Sequence, residues 1–248
     1  MGGMERALGL PRLHLRRTDS TNERARSLAI AGVPHGTLVT ASEQTAGRGR
    51  QGRGWSAPPG SSLLASLVLR SPPPLLPMIA ALAVCEAAGE GALVKWPNDV
   101  VLARRGKPGR AGRGGPARGG RLAKLGGILI EARPQQGWAV LGVGLNVAVR
   151  LEDLPEDVRT GAATLGRAPS AIEPILGLML DALARRLAAP AEVLLDDYRG
   201  LDALRGRTIA WGGGEGRAGG IDGEGRLLVE LAGGGRTALD AGEVHLRL

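Results

Sequence analysis

Three apolar runs in the middle of the chain restrict its fold more than any other feature. LVKW (93–96), LGGILIEA (125–132) and WAVLGVGLNVAV (138–149) read as strands of one well-buried sheet. Such a sheet must be covered, and helical patterns supply the cover. Ser20-Thr21-Asn22-Glu23 has capping-box spacing and predicts a helix running until Gly32. PLLPMIAALAVCEAA predicts a buried helix starting near Pro77 and closed by Gly89 or Gly91. Ile172, Leu176, Met179, Leu180, Leu183 and Leu187 make the apolar face of a second long helix, and a third, shorter one ends at Tyr198-Arg199-Gly200. TLVTAS (37–42) and SLLASLVL (62–69) add β-like runs on either side of a glycine-rich segment. The whole is an α+β pattern: a mixed or antiparallel sheet packed by helices.

After about Leu204 the texture changes. RTIAW, EGRAGGID, GRLLVEL, RTALD and EVHLRL are short strands separated by glycine turns, which predicts a small barrel or sandwich. The expected division is therefore 1–203 and 204–248. A module that small buries little by itself, so it is expected to dock on the larger domain.

The 248 residues carry a net charge of +8, which suggests nucleic acid until the charge is located. Arg104, Arg105, Lys107, Arg110, Arg113, Arg118 and Arg121 supply nearly all of it. They sit in a Gly/Pro/Arg stretch, 103–122, that cannot bury a face and is expected to form a mobile basic loop. Its bland reading is a composition-biased insertion. One cysteine excludes a disulfide framework and a thiolate metal cluster. Cys85 lies mid-helix in an apolar run and reads as a core residue. The longest uncharged apolar run, 71–85, includes four prolines and falls short of a membrane span. Neither GxxxxGK[ST] nor GxSxG occurs. A soluble cytoplasmic protein, with no membrane partner, is the expectation.

Three segments carry candidate chemistry. Gly47-Arg48-Gly49-Arg50-Gln51-Gly52-Arg53-Gly54-Trp55 satisfies GxGxxG literally, yet no helix pattern follows and the expected acid is missing, so it is not a dinucleotide fingerprint. What survives is a loop whose glycines and amides can converge on an anion, with arginine forks suited to phosphate and carboxylate; a solvated Arg/Gly turn is the alternative. Lys95-Trp96-Pro97-Asn98-Asp99 ends a strand. Lysine and asparagine each occur only three times, so a lysine in this arginine-rich chain signals a need for its geometry. An amide beside a carboxylate can hold hydrated Mg²⁺ on nucleotide phosphates, or simply make a turn. Lys124-Leu125-Gly126-Gly127, followed by Gly142-Val143-Gly144-Leu145-Asn146, places an ammonium and an amide on buried strands whose glycines mark close approach or serve as packing devices. Together they predict a pocket for one or more anions, a metal–nucleotide among them.

STN (20–22), EQTAGRGRQGRGW (43–55), KWPND (95–99), KLGGILIE (124–131) and GVGLN (142–146), in that order, resemble biotin–protein ligases, and GIDGEGRLLVE (220–230) looks like the C-terminal SH3-like domain of that family. The resemblance runs from about residue 12 to the end. It implies a catalytic domain of the class II aminoacyl-tRNA synthetase and biotin synthetase type, followed by an SH3-like β-barrel. The implied activity makes biotinyl-5′-AMP from biotin and Mg²⁺-ATP, then transfers biotin to a lysine of a biotin carboxyl carrier domain. ATP with Mg²⁺ and biotin are the implied substrates, with no tightly bound metal. By matched position, Ser20, Thr21, Asn22 and Gln44 would contact biotin. Arg48, Gly49 and Arg50 would bind carboxylate and phosphate as the loop closes, and Lys124 would hold the acyl-phosphate oxygens. Arg48, Arg50 and Lys124 are thus the implied catalytic groups. Lys95, Trp96, Asn98, Asp99 and Asn146 would serve the nucleotide, with Asp99 facing the Mg²⁺ and Trp55 bordering the adenine site.

Only 19 residues precede Ser20, which leaves no room for the helix-turn-helix domain of the family's repressors, so DNA binding is not expected. The 103–122 stretch stands where the family has a short hairpin turn. It is expected to loop out of an intact pair of strands, and its charge could serve carrier capture. Lipoate–protein ligases share the fold and the adenylate logic, but KWPND, GRGR and the SH3-like tail favour biotin. A basic nucleic-acid-binding module is the alternative of another class. The family includes monomers and homodimers.

Overall fold

A computed structural model describes residues 8–104, 120–240 and 244–246. The chain opens with β1 (Arg12–Leu15), α1 (Thr21–Ile30) and β2 (Leu38–Ala41). Two short arms follow, β3 (Gly47–Arg48) and β4 (Gly54–Trp55), then β5 (Ser62–Arg70) and α2 (Leu76–Ala88). β6 (Ala92–Lys95), β7 (Asp99–Arg104), β8 (Arg121–Arg133) and β9 (Trp138–Asn146) come next. After α3 (Glu156–Arg159), α4 (Ile172–Leu187) and α5 (Ala191–Leu201), the chain ends in β10 (Thr208–Trp211), β11 (Gly214–Ile221), β12 (Leu227–Glu230), β13 (Arg236–Leu239) and β14 (His245–Leu246).

Seven strands form the main sheet in the order β1-β2-β5-β9-β8-β7-β6, with β1–β2 parallel and the other pairs antiparallel. The expected mixed sheet is therefore present. Each of its faces has its own cover. Alternate residues of β5 and β9 (Leu63, Leu67 and Leu69; Leu141, Val143 and Leu145) pack with α2 and α4 in the main core. Val68 and Val140, on the opposite face, pack with Ala25 and Ala29 of α1. Cys85 of α2 is buried, as a core residue should be, and burial pushes its thiol up to about 12.

Two details of the helices differ from expectation. Ser20 occupies the N-cap of α1 but makes no side-chain cap bond, and Glu23 turns instead to Arg26 and Arg48. The edge strand β1 carries no alternating apolar signal, since three of its four residues are exposed, and its pairing with β2 was not anticipated.

The C-terminal strands make one antiparallel sheet in the order β13-β12-β11-β10-β14. The expected module is a small barrel or sandwich; among the described residues β13 and β14 are edges that do not pair, so the sheet there is open and not a closed barrel. It docks as expected: Ile209, Ala218, Ile221, Leu227 and Val229 join the same core as α2 and the main sheet. Of the basic stretch 103–122, residues 105–119 lie outside the described residues. Its ends are not loop but strand, with β7 and β8 pairing through Ala103↔Leu122 and Arg104↔Arg121.

Candidate active site

The registers of β5, β9, β8 and β7 set rows of residues on the face that α1 partly covers. Ser66, Gly142 and Leu129 form one row, while Gly144, Gly127 and Asp99 form the next. The strand glycines hold space open. A Cβ on Gly142 would overlap the Asn22 amide, and one on Gly144 would stand 2.6 Å from the Trp55 ring. The close approach expected at these glycines is made by the protein's own side chains.

Asn22, on the first turn of α1, lies over this floor. Its Oδ1 accepts from the buried Ser66 hydroxyl at 2.6 Å, and its Nδ2 donates to Glu131 at 2.9 Å. The backbone N–H of Thr21 donates to Gln44 Oε1 at 2.7 Å, and the Thr21 hydroxyl donates to the same oxygen at 3.0 Å. Ser20, Thr21, Asn22 and Gln44 thus form one end of a cleft of about 120 Å³.

The glycine-rich segment forms the other wall. Gly47 pairs with Trp55 and Arg48 with Gly54, so the loop is a closed hairpin. Gly47 must be glycine because the Trp55 carbonyl occupies the space a Cβ would take. Of the loop's glycines only Gly52 uses positive φ, beside Gln51 at φ 55°. Arg48, Gly49, Arg50, Arg53 and Trp55 all reach the cleft. Arg48 pairs with Glu23 at 3.0 Å, and Arg50 donates to Asn98 Oδ1 at 3.3 Å. The Trp55 indole N–H is buried without a hydrogen-bond partner.

Lys124 reaches the cleft because of an irregularity. Lys124 and Gly127 are three apart, so a regular strand would point them to opposite faces. Opposite Val100 and Val101, however, β8 presents Gly126 and Lys124 and skips Leu125, a β-bulge that turns Lys124 towards the same side as Gly127. The segment 161–163 stabilises the bulge, with Lys124 N–H donating to Gly161 O and Ala163 N–H to Lys124 O, both at 2.7 Å. The Lys124 ammonium sits 2.7 Å from Asp99 Oδ1 and 5.9 Å from the centroid of the Trp55 ring.

Four expected site residues are not part of the cleft lining: Asp99 meets it through Lys124, and three lie elsewhere. Lys95 ends β6 and is not part of the cleft lining. Trp96 is buried, with its indole N–H donating to Gly225 O at 3.0 Å. Asn146 is buried too, donating to Ala163 O at 2.9 Å and accepting from Ser62 at 3.4 Å, so it braces the segment that pairs with Lys124. Sequence reasoning missed Ser66, Glu23 and Glu131. Ser66 left one signal, a hydroxyl inside an apolar strand where a buried polar group needs a partner.

The sequence profile of the biotin/lipoate A/B protein ligase family matches residues 14–147. The bifunctional ligase/repressor BirA of Bacillus subtilis is 34% identical over 236 residues, covering 85% of this chain. This chain spans 66% of that relative's length. The biotin–[acetyl-CoA-carboxylase] ligase of Mycobacterium tuberculosis is 35% identical over 256 residues, covering 93% of this chain and 87% of that protein. Among solved structures, the biotin protein ligase of Aquifex aeolicus in complex with biotin and ATP superposes with a TM-score of 0.75 at 25% identity. The match covers 95% of this chain and 98% of that one.

Proposed function

This chain belongs to the biotin/lipoate A/B protein ligase family, and on that premise we propose that it is an ATP-dependent biotin–protein ligase. A biotin carboxylate oxygen attacks the α-phosphorus of ATP, the bond to the β-phosphate oxygen breaks, and pyrophosphate leaves with that bond's electrons. A deprotonated lysine amine of a biotin carboxyl carrier domain then attacks the acyl carbon. The C–O bond to AMP breaks, and the new amide nitrogen loses its proton. The first step brings a carboxylate to a polyphosphate, so like charges must be offset and the reactants aligned.

The observation that carries this reading is the cleft itself. One cleft gathers a hydrogen-bonding end (Ser20, Thr21, Asn22, Gln44) and the cations Arg48, Arg50 and Lys124 over a glycine floor. We assign the polar end to biotin, Arg48, Gly49, Arg50 and Lys124 to the carboxylate and acyl phosphate, and Trp55 and Asn98 to the nucleotide. Trp96 and Asn146 then serve the site through backbone contacts. For Mg²⁺ the donor set fits an ion carried on nucleotide phosphates: Asp99 and Asn98 Oδ1 offer one carboxylate and one neutral oxygen, which face Lys124 and Arg50 in this structure. That ion would offset phosphate charge. The C-terminal sheet is this chain's counterpart of the family's SH3-like module, and the reading implies a cytoplasmic enzyme. No helix among the described residues is long and apolar enough to cross a membrane.

Biotin-dependent exchange of labelled pyrophosphate into Mg²⁺-ATP tests this reading. Exchange with biotin alone, lost in Lys124→Ala, is the expected result. Exchange with lipoate instead would move the chain to the sister activity, and no exchange with either acid would overturn the reading.

A further inference from the structure

Trp96 is a large side chain whose polar atom points away from the cleft into the C-terminal sheet. It belongs to a three-residue loop, Trp96-Pro97-Asn98, closed by the Lys95↔Asp99 pair of β6 and β7. At one end of the loop the Trp96 indole N–H donates to Gly225 O at 3.0 Å. At the other, Asn98 is held on both sides: its carbonyl accepts from Ile128 N–H at 2.9 Å, and its Nδ2 donates to Ile128 O at 3.1 Å. The free face of Asn98, its Oδ1, receives Arg50 at 3.3 Å.

The Gly225 end is rigid. Gly225 sits in the turn between β11 and β12, where Asp222 Oδ1 accepts the N–H groups of Glu224 at 3.0 Å and Arg226 at 2.9 Å. Arg226 Nε closes onto Asp222 Oδ2 at 2.6 Å. Backbone and side-chain donors lower the Asp222 carboxyl despite its partial burial. A Cβ at Gly225 would lie in van der Waals contact with Met78 of α2 and with Leu75, the residue that precedes that helix. The Trp96 indole N–H thus supplies a polar link from the loop to the turn.

We propose that Trp96 is a positioning residue: it registers the C-terminal sheet against the 96–98 loop and so sets where Asn98, and through it Arg50, meets the nucleotide. The inference rests on the ligase reading above. It also makes the C-terminal sheet part of the reaction geometry, because the cleft takes one of its coordinates from a turn more than 120 residues away in sequence.

Trp96→Phe keeps the ring and removes the donor. In pyrophosphate exchange, at a temperature well below unfolding, the apparent KM for ATP should rise about three- to tenfold, the size expected from one hydrogen bond. The KM for biotin should stay within about twofold, since Asn98 is assigned to the nucleotide. Placed on Asn98→Ala, Trp96→Phe should add almost nothing, because both changes remove the same positioning. Should Trp96→Phe fail to fold, Asp222→Ala loosens the same turn from its exposed side and should shift the ATP KM in the same direction. If the unmutated chain exchanges and these variants lose only thermal stability, or if the two effects add in full, the inference is overturned. If the unmutated chain does not exchange, the ligase reading falls and this inference with it.

Discussion

Gly142→Ala tests the central spatial claim about the cleft with one methyl group. Gly142 sits in β9 and is not among the glycines at positive φ, so backbone preference alone favours alanine by about 0.5–1 kcal/mol. The new Cβ would fall inside the Asn22 amide. Asn22 cannot withdraw as a rigid body, since Ala25 and Ala29 hold α1 against Val68 and Val140. The amide must rotate instead, and the buried Asn22 amide then gives up both Ser66 and Glu131, while Ser66 keeps Thr21 Oγ1 at 2.8 Å. Leaving one such buried group unsatisfied costs about 1–3 kcal/mol. Because Asn22 is assigned to biotin, its affinity should drop about 10- to 100-fold, at about 1.4 kcal/mol per decade. Calorimetric titration with biotin reads this without needing catalysis. Gly177→Ala, in the exposed face of α4 with nothing near its new Cβ, is the matched control. It should stabilise by up to about 1 kcal/mol. Biotin binding by Gly142→Ala within twofold of the unmutated chain would refute the claim that this glycine makes room for Asn22.

Two further predictions concern the core. Burial raises the Asp202 carboxyl above its usual value, and its Oδ2 is out of contact with water and without a hydrogen-bond partner. The folded state therefore holds the proton more tightly, and stability falls as pH rises from the unfolded value, near 3.8, through the raised folded one. Asp202→Asn keeps the acceptor for Leu204 N–H, so it should raise Tm at pH 7 and flatten that slope in melts from pH 4 to 8; an unchanged Tm and slope would count against it. Cys85 should resist thiol reagents in the folded protein at pH 8 and react only on unfolding, since it is buried and its thiol is pushed up to about 12. Rapid labelling of the native chain would contradict that burial.

The strands and the long helices were legible because each rests on a local pattern, runs of apolar residues or helical spacing; of the cleft, Lys124, Asn22 and Asn98 stood out as rare residues among arginines and the 47–55 loop as a glycine–arginine run, whereas Ser20, Thr21 and Gln44 came only from the family resemblance. The unread features depend on pairing between distant segments. The bulge at Leu125 is invisible in KLGGIL, where strict alternation would place Lys124 and Gly127 on opposite faces. Trp96 and Asn146 stand in rare-residue motifs, and the sequence does not say that their polar atoms are taken by Gly225 and Ala163. Glu23 looked like half of a capping box. Only folding of the 46–54 loop onto α1 gives it Arg48 as partner.

The pairings of the cleft's cations bear on how it takes two anions. Three of the cleft's cations are held by named partners: Arg48 by Glu23, Lys124 by Asp99, and Arg50 by Asn98 Oδ1. A cluster of unpartnered cations would repel itself and destabilise the fold around it. The two ion pairs are asymmetric. The side chains of Glu23 and Asp99 are 23% and 20% exposed, while those of Arg48 and Lys124 are 53% and 42% exposed. The carboxylates are therefore the fixed members, and the cations are the ones with room to move. At such exposure each pair contributes on the order of 1 kcal/mol or less, so a ligand phosphate or carboxylate can take over the cation at little cost. The exchange leaves Glu23 with its second partner, Arg26, and releases the partly exposed Asp99 carboxylate. A cleft built this way is stable when empty and charge-matched when filled, as the proposed attack of a carboxylate on a nucleotide's α-phosphate requires.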